Sequence, residues 1–243
     1  MTRVILHLAK AIVTVVTAIL LFSCGLDMKR VDGSGNVIKQ ERNAGPEFNA
    51  VSASGDVEVI IEQGTQRSIT VEADDNLQEH IKTEIKGGKL EISTDANFNS
   101  PAARTITVVL PEVKEIESSA SARVKNRNVL KAGNLALHTS SGSNMELSID
   151  SYDVTFEASS GSMLKVSGKA GKVEASTSSG ASIDASGVVA SQVRAEASSG
   201  GNTIVNPVDE LKANASSGGH VFYVKTPANL SKDVSSGGEV KQQ

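Results

Sequence analysis

Histidine, carboxylate and serine side chains are the groups from which a hydrolase or a metal site would be built. The four histidines, His7, His80, His138 and His220, stand far apart and show no ligand spacing, and no zinc motif occurs. Two adjacent acid pairs follow residue 24, Asp74-Asp75 and Asp209-Glu210. Both sit in loop-like contexts, and a Ca²⁺ site would need several more oxygens at short range, so neither is assigned a metal. Serine is abundant, yet no Gly-x-Ser-x-Gly elbow with an identifiable His or Asp partner stands out. Polysaccharide cleavage would need neighbouring carboxylates, or a carboxylate-held cation beside a base. No catalytic residue and no cofactor are assigned.

Cys24 carries a different chemistry. Ahead of it, Arg3 and Lys10 are the only charges, and residues 11–22 are apolar except for Thr14 and Thr17. Twelve residues are too few to span a bilayer, which takes roughly 20, but suit the apolar core of a secretory signal of about 7–15. Leu21, Ser23 and Cys24 fit the −3, −1 and +1 positions of a lipobox, with a bulky Phe22 at −2, and Cys24 is the only cysteine. The expectation is a signal peptide over 1–23, a diacylglycerol thioether on Cys24 and acylation of its freed amine. With more than one acyl chain, each buried CH₂ contributing about 0.8 kcal/mol, release from the membrane becomes negligible.

The rest of the composition narrows the partners. The 243 residues carry 24 Lys+Arg against 28 Asp+Glu, with no Trp, two Tyr and five Phe. An acidic chain this poor in aromatics has neither a basic stripe for phosphates nor stacking platforms, which excludes nucleic acid. Residues 24–47 mix charge with Gly and show no period, as a tether would. Alternating apolar residues then signal strands: Val57, Val59 and Ile61; Ile69 and Val71; Ile81 and Ile85; Leu90 and Ile92; Ile106, Val108 and Leu110. Asp75 to His80 reads as a helical turn and Gly87-Gly88 as a tight turn.

From residue 134 a repeat appears. Ser-Ser-Gly recurs at Ser140, Ser159, Ser178, Ser198, Ser216 and Ser235, at spacings of 19, 19, 20, 18 and 19. Five residues before each triplet stands an aliphatic residue: Leu135, Val154, Val173, Val193, Leu211 and Leu230. Odd offsets on either side are mostly apolar, so each repeat should hold two short strands with the triplet as their corner. Such a unit cannot bury its own face, but copies stacked about 4.8 Å apart can, and this is a β-solenoid. The crossover preference makes it a right-handed parallel β-helix of about 19 residues per rung, spanning 48–243 with regular rungs over 134–243. At the corners, Gly142, Gly161, Gly180, Gly200, Gly218 and Gly237 supply φ > 0. Parity points Ser141, Ser160, Ser179, Ser199, Ser217 and Ser236 inward, as a ladder of mutually satisfied hydroxyls rather than nucleophiles. Across rungs charges alternate in sign (Glu146, Lys165, Asp184; Asp153 beside Lys172; Glu174 beside Arg194), the pattern of a solvated face.

Over about Phe48 to Val240 the chain resembles the head GIN domain family of auto-transporter adhesins from Gram-negative bacteria. The motif residues are Ser52-Ala53-Ser54-Gly55-Asp56-Val57-Glu58-Val59, Gly64, Ile69-Thr70-Val71-Glu72-Ala73, Asn76-Leu77, Gly88-Lys89-Leu90 and the Ser-Ser-Gly series. Residues 119–124 match the motif with Ser121 or Ala122 in place of its glycine. The resemblance implies a right-handed β-helix on a lipoprotein or secreted chain. The expected function is a binding, adhesion or scaffolding module in the cell envelope, lipid-anchored at the outer membrane or cell surface, with a glycan or protein ligand. Three rivals have requirements of their own: a polysaccharide-active enzyme needs clustered acids, a small-ligand sensor a pocket, an ice- or crystal-face binder outward-facing hydroxyls in a flat array. The last rung, ending at Gln243, exposes strand edges. Lys232 at an otherwise apolar inward offset, with Glu239, Lys241 and Gln242-Gln243, reads as edge protection and predicts a monomer.

Overall fold

The computed structural model describes residues 30–99 and 103–243. The expected signal segment over 1–23, with His7, and the expected lipidation site Cys24 lie outside the described residues. Strand follows strand, and the alternation of apolar residues is realised as alternate burial along each.

The regular part consists of four long strands, β13 (Asn144–Ala158), β14 (Met163–Thr177), β15 (Ser182–Ala197) and β16 (Asn202–Ala215), stacked parallel, with the register shifting between Lys165 and Ser167 of β14 and twice between Ala185 and Gln192 of β15, where the repeat spacing departs from 19. Each is a whole coil less its Ser-Ser-Gly corner. Where two short strands per rung were expected, one strand of 14 to 16 residues runs through, and its inward parity flips part-way. In β13 the buried set is Met145, Leu147, Ile149 and Ser151 before the flip, then Val154, Phe156 and Ala158 after it. The flip, at Tyr152 in β13, interrupts the pairing by one residue, bends the strand around the core, and creates a first face (the leading halves) and a second face (the trailing halves).

Both faces continue to either side. The first is extended by β11 (Arg123–Asn126), β4 (Glu58–Gln63) and β9 (Arg104–Leu110) toward the N-terminal end, and by β17 (His220–Tyr223) and β19 (Glu239–Gln242) toward the other. The second is extended by β12 (Leu130–Thr139), β10 (Glu115–Ser119), β3 (Ala50–Ser54) and β7 (Lys89–Thr94), and by β18 (Asn229–Val234). Rows of buried residues, such as Val124, Met145, Leu164 and Ile183 facing Ile116, Leu137, Phe156 and Ala175, make one continuous core. Coils of about 19 residues stack as a β-solenoid of about 7 turns.

The corners differ from the sequence reading in one respect. Ser141, Ser160, Ser179, Ser199, Ser217 and Ser236 are exposed, not inward, with φ of 48° to 52°. The glycine that follows each also has positive φ, and the residue after it donates its N–H back to the first serine's carbonyl, as Ser143 does to Ser140 at 3.1 Å. Two consecutive left-handed residues with this bond form a type I′ turn, which turns the second serine outward. The ladder along the ridge is therefore backbone: Gly142 N–H donates to Ser160 O at 3.1 Å, and the pattern repeats to Gly218 and Ser236. Beside the corners the buried hydroxyls are those of Ser118, Thr139, Ser143, Ser162, Thr177 and Thr203, paired Ser118–Ser143 and Thr139–Ser162 at 3.0 Å and Thr177–Thr203 at 2.5 Å. At 119–122 the same turn forms with Ala120 (φ 48°) and Ser121 (φ 71°), so Ser121 stands where the glycine would.

The N-terminal end is antiparallel. β5 (Ser68–Asp74) pairs antiparallel with β9, β2 (Val37–Arg42) pairs antiparallel with β5, and β6 (Ile81–Lys86) forms a hairpin with β7 through Gly87-Gly88. A 3₁₀ segment, Asp75–His80, links β5 to β6 and buries Leu77 and Gln78. β2 lies inside the stretch read as a tether, so the folded part begins before Phe48. Its side chains are mostly exposed and show no apolar period because its contribution is backbone pairing to the edge of β5. Gln78 Nε2 donates to Ile38 O at 3.1 Å and Val71 O at 3.2 Å, tying β2 and β5 from within. β1 (Arg30–Val31) pairs with β8 (Asn97–Phe98) alongside.

Candidate functional site

Outward residues of the second face form straight rows, because register is kept from coil to coil. One row runs Glu115, Ala136, Thr155, Glu174, Arg194; the next, two residues along each strand, runs Glu117, His138, Glu157, Ser176, Glu196. Small side chains in mid-row, Ala136, Thr155 and Ser176, leave a shallow trough between larger neighbours. It has a wider section of about 760 Å³ edged by Glu112, Lys114, Asn134, Asp153, Lys172 and Glu174. A narrower one of about 430 Å³ is edged by Glu117, His138, Glu157 and the first serines of three corners, Ser140, Ser159 and Ser178.

Its charges are held in fixed pairs. Lys89 Nζ reaches Glu117 at 2.8 Å and Glu115 at 3.2 Å. His138 Nδ1 lies 3.0 Å from Glu157, and Lys172 reaches Glu174 at 2.6 Å. Burial pushes the Glu117 carboxyl up, but hydrogen bonds, that from Lys89 foremost and one from Ser52 with it, outweigh it and leave it below its ordinary value. Glu174 is lowered by the Lys172 hydrogen bond, and Lys172 correspondingly raised. A glycosidase acid needs its carboxyl raised toward neutral pH. Glu117 and Glu174 shift the other way and stand as ionised acceptors beside their lysine partners. The alternation across rungs is realised in register, with Glu146 and Lys165 paired at 3.3 Å between coils, while Lys172–Glu174, Arg194–Glu196 and Glu210–Lys212 close along one strand, between residues two apart on one face.

Tyr152 was not singled out from the sequence. It is 73% exposed at the bend of β13, beside Asp153 of the trough, and its ring lies against Gly171 of the next coil, where a Cβ would sit 3.2 Å from Cδ2. Gly133 stands in register on the other side. The signal in the sequence is an aromatic residue at an outward offset with glycine at that offset in both neighbouring repeats.

The other candidates are scattered. His80 contacts Asp95 at 2.6 Å at the N-terminal end and His220 contacts Glu239 at 3.3 Å on the last coil, both remote from His138. Asp209 accepts from Ser191 Oγ at 2.5 Å, and Glu210 pairs with Lys212 at 2.8 Å. Among the described residues no three His, Cys, Asp or Glu side chains converge for a metal, and no helix is long and apolar enough to cross a membrane. The turn residues form a ridge bordering the trough: first serines line it, second serines face solvent in single file. A file is not the plane that ice or crystal recognition requires.

Solved structures share this architecture. A putative adhesin from Bacteroides fragilis superposes with a TM-score of 0.80 at 19% identity, covering 88% of this chain and 100% of that one. A structure from Parabacteroides distasonis described as a putative lipid binding protein gives 0.72 at 19%, covering 88% and 100%. A putative adhesin from Parabacteroides merdae gives 0.70 at 20%, covering 88% and 99%. No curated protein matches the chain. Likeness at this identity establishes the fold; membership is established by the sequence model of the family described as "Putative auto-transporter adhesin, head GIN domain", which matches residues 47–227, and the chain belongs to that family.

Proposed function

We propose that the chain is an adhesion module of the cell envelope, held to the membrane by lipid on Cys24, and that the second-face trough binds a glycan. The observation that carries this reading is the trough itself: rows of carboxylate, amide, ammonium, imidazole and hydroxyl groups, the charged ones held in ion pairs, with the exposed Tyr152 next in sequence to the lining residue Asp153. Sugars present hydroxyls in both hydrogen-bonding senses and an apolar ring face, and ordered polar groups beside an aromatic ring answer both. Lipid on Cys24 and a cell-surface or outer-membrane location fit the lipobox and the family.

Glycan-array binding with the purified full chain in detergent tests the ligand. The expected result is binding to a restricted set of oligosaccharides, weakened at least about tenfold by Tyr152→Ala and by Asp153→Ala. Binding that survives both changes, or a protein ligand captured with no glycan response, overturns the trough as a glycan site. The anchor is tested separately by Cys24→Ser, which should abolish lipid labelling and release the protein from membranes or leave it unprocessed; unchanged mass and fractionation would refute lipidation.

A further inference from the structure

At the N-terminal end of the stack, the loop 32–36 ahead of β2 meets the junction of β5 with the 3₁₀ segment. Asp74 is only 2% exposed; its Oδ2 accepts from the Gly35 N–H at 3.3 Å, while its Oδ1 is buried without a hydrogen-bond partner. Asp75 turns to the same loop and accepts from Ser34 Oγ at 2.5 Å and Asn36 Nδ2 at 2.9 Å. Asn76 closes the cluster: its Oδ1 accepts from the Ser34 N–H at 3.0 Å and its Nδ2 donates to Asp32 O at 2.8 Å. Hydrogen bonds from Ser34, then Asn36 and the Asn76 N–H, hold the Asp75 carboxyl below its ordinary value. No basic side chain is among the groups that shift Asp75. A buried carboxylate is ordinarily paired, protonated or bound to a metal, and Asp74 has no partner for its second oxygen.

The loop sequence Asp32-Gly33-Ser34-Gly35-Asn36 alternates oxygen-bearing side chains with glycine, and Gly35 at φ +79° gives the sharp turn. Oxygens at the first, third and fifth positions of a tight loop are the spacing by which calcium loops gather ligands. We propose that the carboxylates of Asp74 and Asp75, with the backbone carbonyl of Asp32 and the side chains of Ser34 and Asn36, form a Ca²⁺ site that clasps loop 32–36, and with it β2, to the 3₁₀ segment. Asp74 Oδ1 is the fixed ligand, Asp75 exchanges its hydrogen bonds for the cation, and the Asn36 amide turns to present Oδ1. Two carboxylates among neutral oxygens, with no third acid or imidazole, suit a hard cation rather than a transition metal. The irregular arrangement favours Ca²⁺ over Mg²⁺, which demands near-octahedral geometry.

Isothermal titration of the chelator-treated full chain tests this. The expected result is one Ca²⁺ per chain, with a dissociation constant on the order of 10⁻⁴–10⁻³ M as in extracellular modules, a raised thermal midpoint in Ca²⁺, and no comparable response to Mg²⁺. Asp74→Asn should abolish binding. Asp75→Asn should weaken it at least about tenfold, and Asp95→Asn, elsewhere at the same end, should bind as wild type. No Ca²⁺ response at several millimolar, an equal Mg²⁺ response, or undiminished binding by Asp75→Asn would overturn the site.

Discussion

At its N-terminal end the stack reverses direction: β5, β2 and β6 run antiparallel to their neighbours, and Leu77 and Gln78 close the space between the faces. At the C-terminal end β18 and β19 stay parallel, and nothing among the described residues stacks on them. Every residue of β18 is exposed, and Leu230 and Val234 are 37% and 48% exposed, although the same offsets are buried in the coils before. Lys232 crosses this end, its ammonium donating to the Tyr223 hydroxyl at 3.0 Å and Val240 O at 3.2 Å and lying 4.9 Å from the Tyr223 ring centre. One end is covered by backbone and apolar side chains, the other by a charge. Stability and association should therefore be governed from opposite ends.

The largest contrast should come from the core. Ile106 on β9 is fully buried among β4 and β5, so Ile106→Ala should cost about 2–5 kcal/mol, the lost transfer energy plus a cavity. Leu230→Ala, at the partly exposed offset, should stay below about 1 kcal/mol. Urea melts of the two variants decide the matter, and equal losses would mean that the last coil is as firmly built as the first.

Next in size are the corners. A Cβ at Gly180 would meet nothing within 4 Å, so Gly180→Val is penalised through its φ of +70° rather than by crowding. The cost is on the order of 1–2 kcal/mol, more for a β-branched side chain. Gly237 has φ +75° and equally open surroundings, yet its coil can open locally for less than the whole stack, which limits the cost of Gly237→Val. Equal and negligible losses at both sites would refute the turn as a conformational requirement.

Much of this was legible because the core is periodic: apolar offsets at a constant spacing fix a stack whatever the composition. Strand direction was not, since alternation looks the same in β5 as in β4, and antiparallel pairing depends on which edge the chain returns to. β2 was hidden because an edge strand exposed on its side chains carries no apolar signal. The outward turn of Ser141 and its equivalents was lost to a parity count that could not foresee two successive left-handed residues. The trough arises from relative side-chain size in neighbouring coils, Ala136 and Thr155 between Glu115 and Glu174, and becomes visible only once register is known.

Acid should loosen the two ends unequally. Hydrogen bonds from Ser34 and Asn36 lower Asp75, those of Lys86 lower Glu84, and those of His80 and Lys82 lower Asp95 at the N-terminal end; at the other, Lys241 leads in lowering Glu239. A carboxyl depressed in the folded state stabilises above its unfolded pKa of about 4, and that contribution is lost as pH falls through the lower folded value. Three such groups against one predict that, from pH 5 to pH 3, amide exchange protection corrected for intrinsic rates falls more in β2 and β6 than in β19. These groups are solvent-facing, so the effect is a local loosening that salt should diminish. A larger loss in β19 would reverse the assignment.

The smallest effect on stability should carry the largest effect on association. Lys232→Leu exchanges two hydrogen bonds and a ring contact of an exposed side chain for the apolar character that this row has in earlier coils, so the thermal midpoint should change little. It also removes the one ammonium lying over the open core, leaving Leu230, Val234 and two parallel edges beside an apolar surface. Exposed edges with apolar neighbours template pairing unless a charge opposes it. Light scattering across a concentration series should show wild type as a monomer and Lys232→Leu as a concentration-dependent oligomer, with Lys232→Arg remaining monomeric because it keeps the charge. A wild-type oligomer that dissociates when Lys232 and Val240 are altered would instead make this end an assembly surface, and the contrast between the ends would become one between a closed cap and a joint.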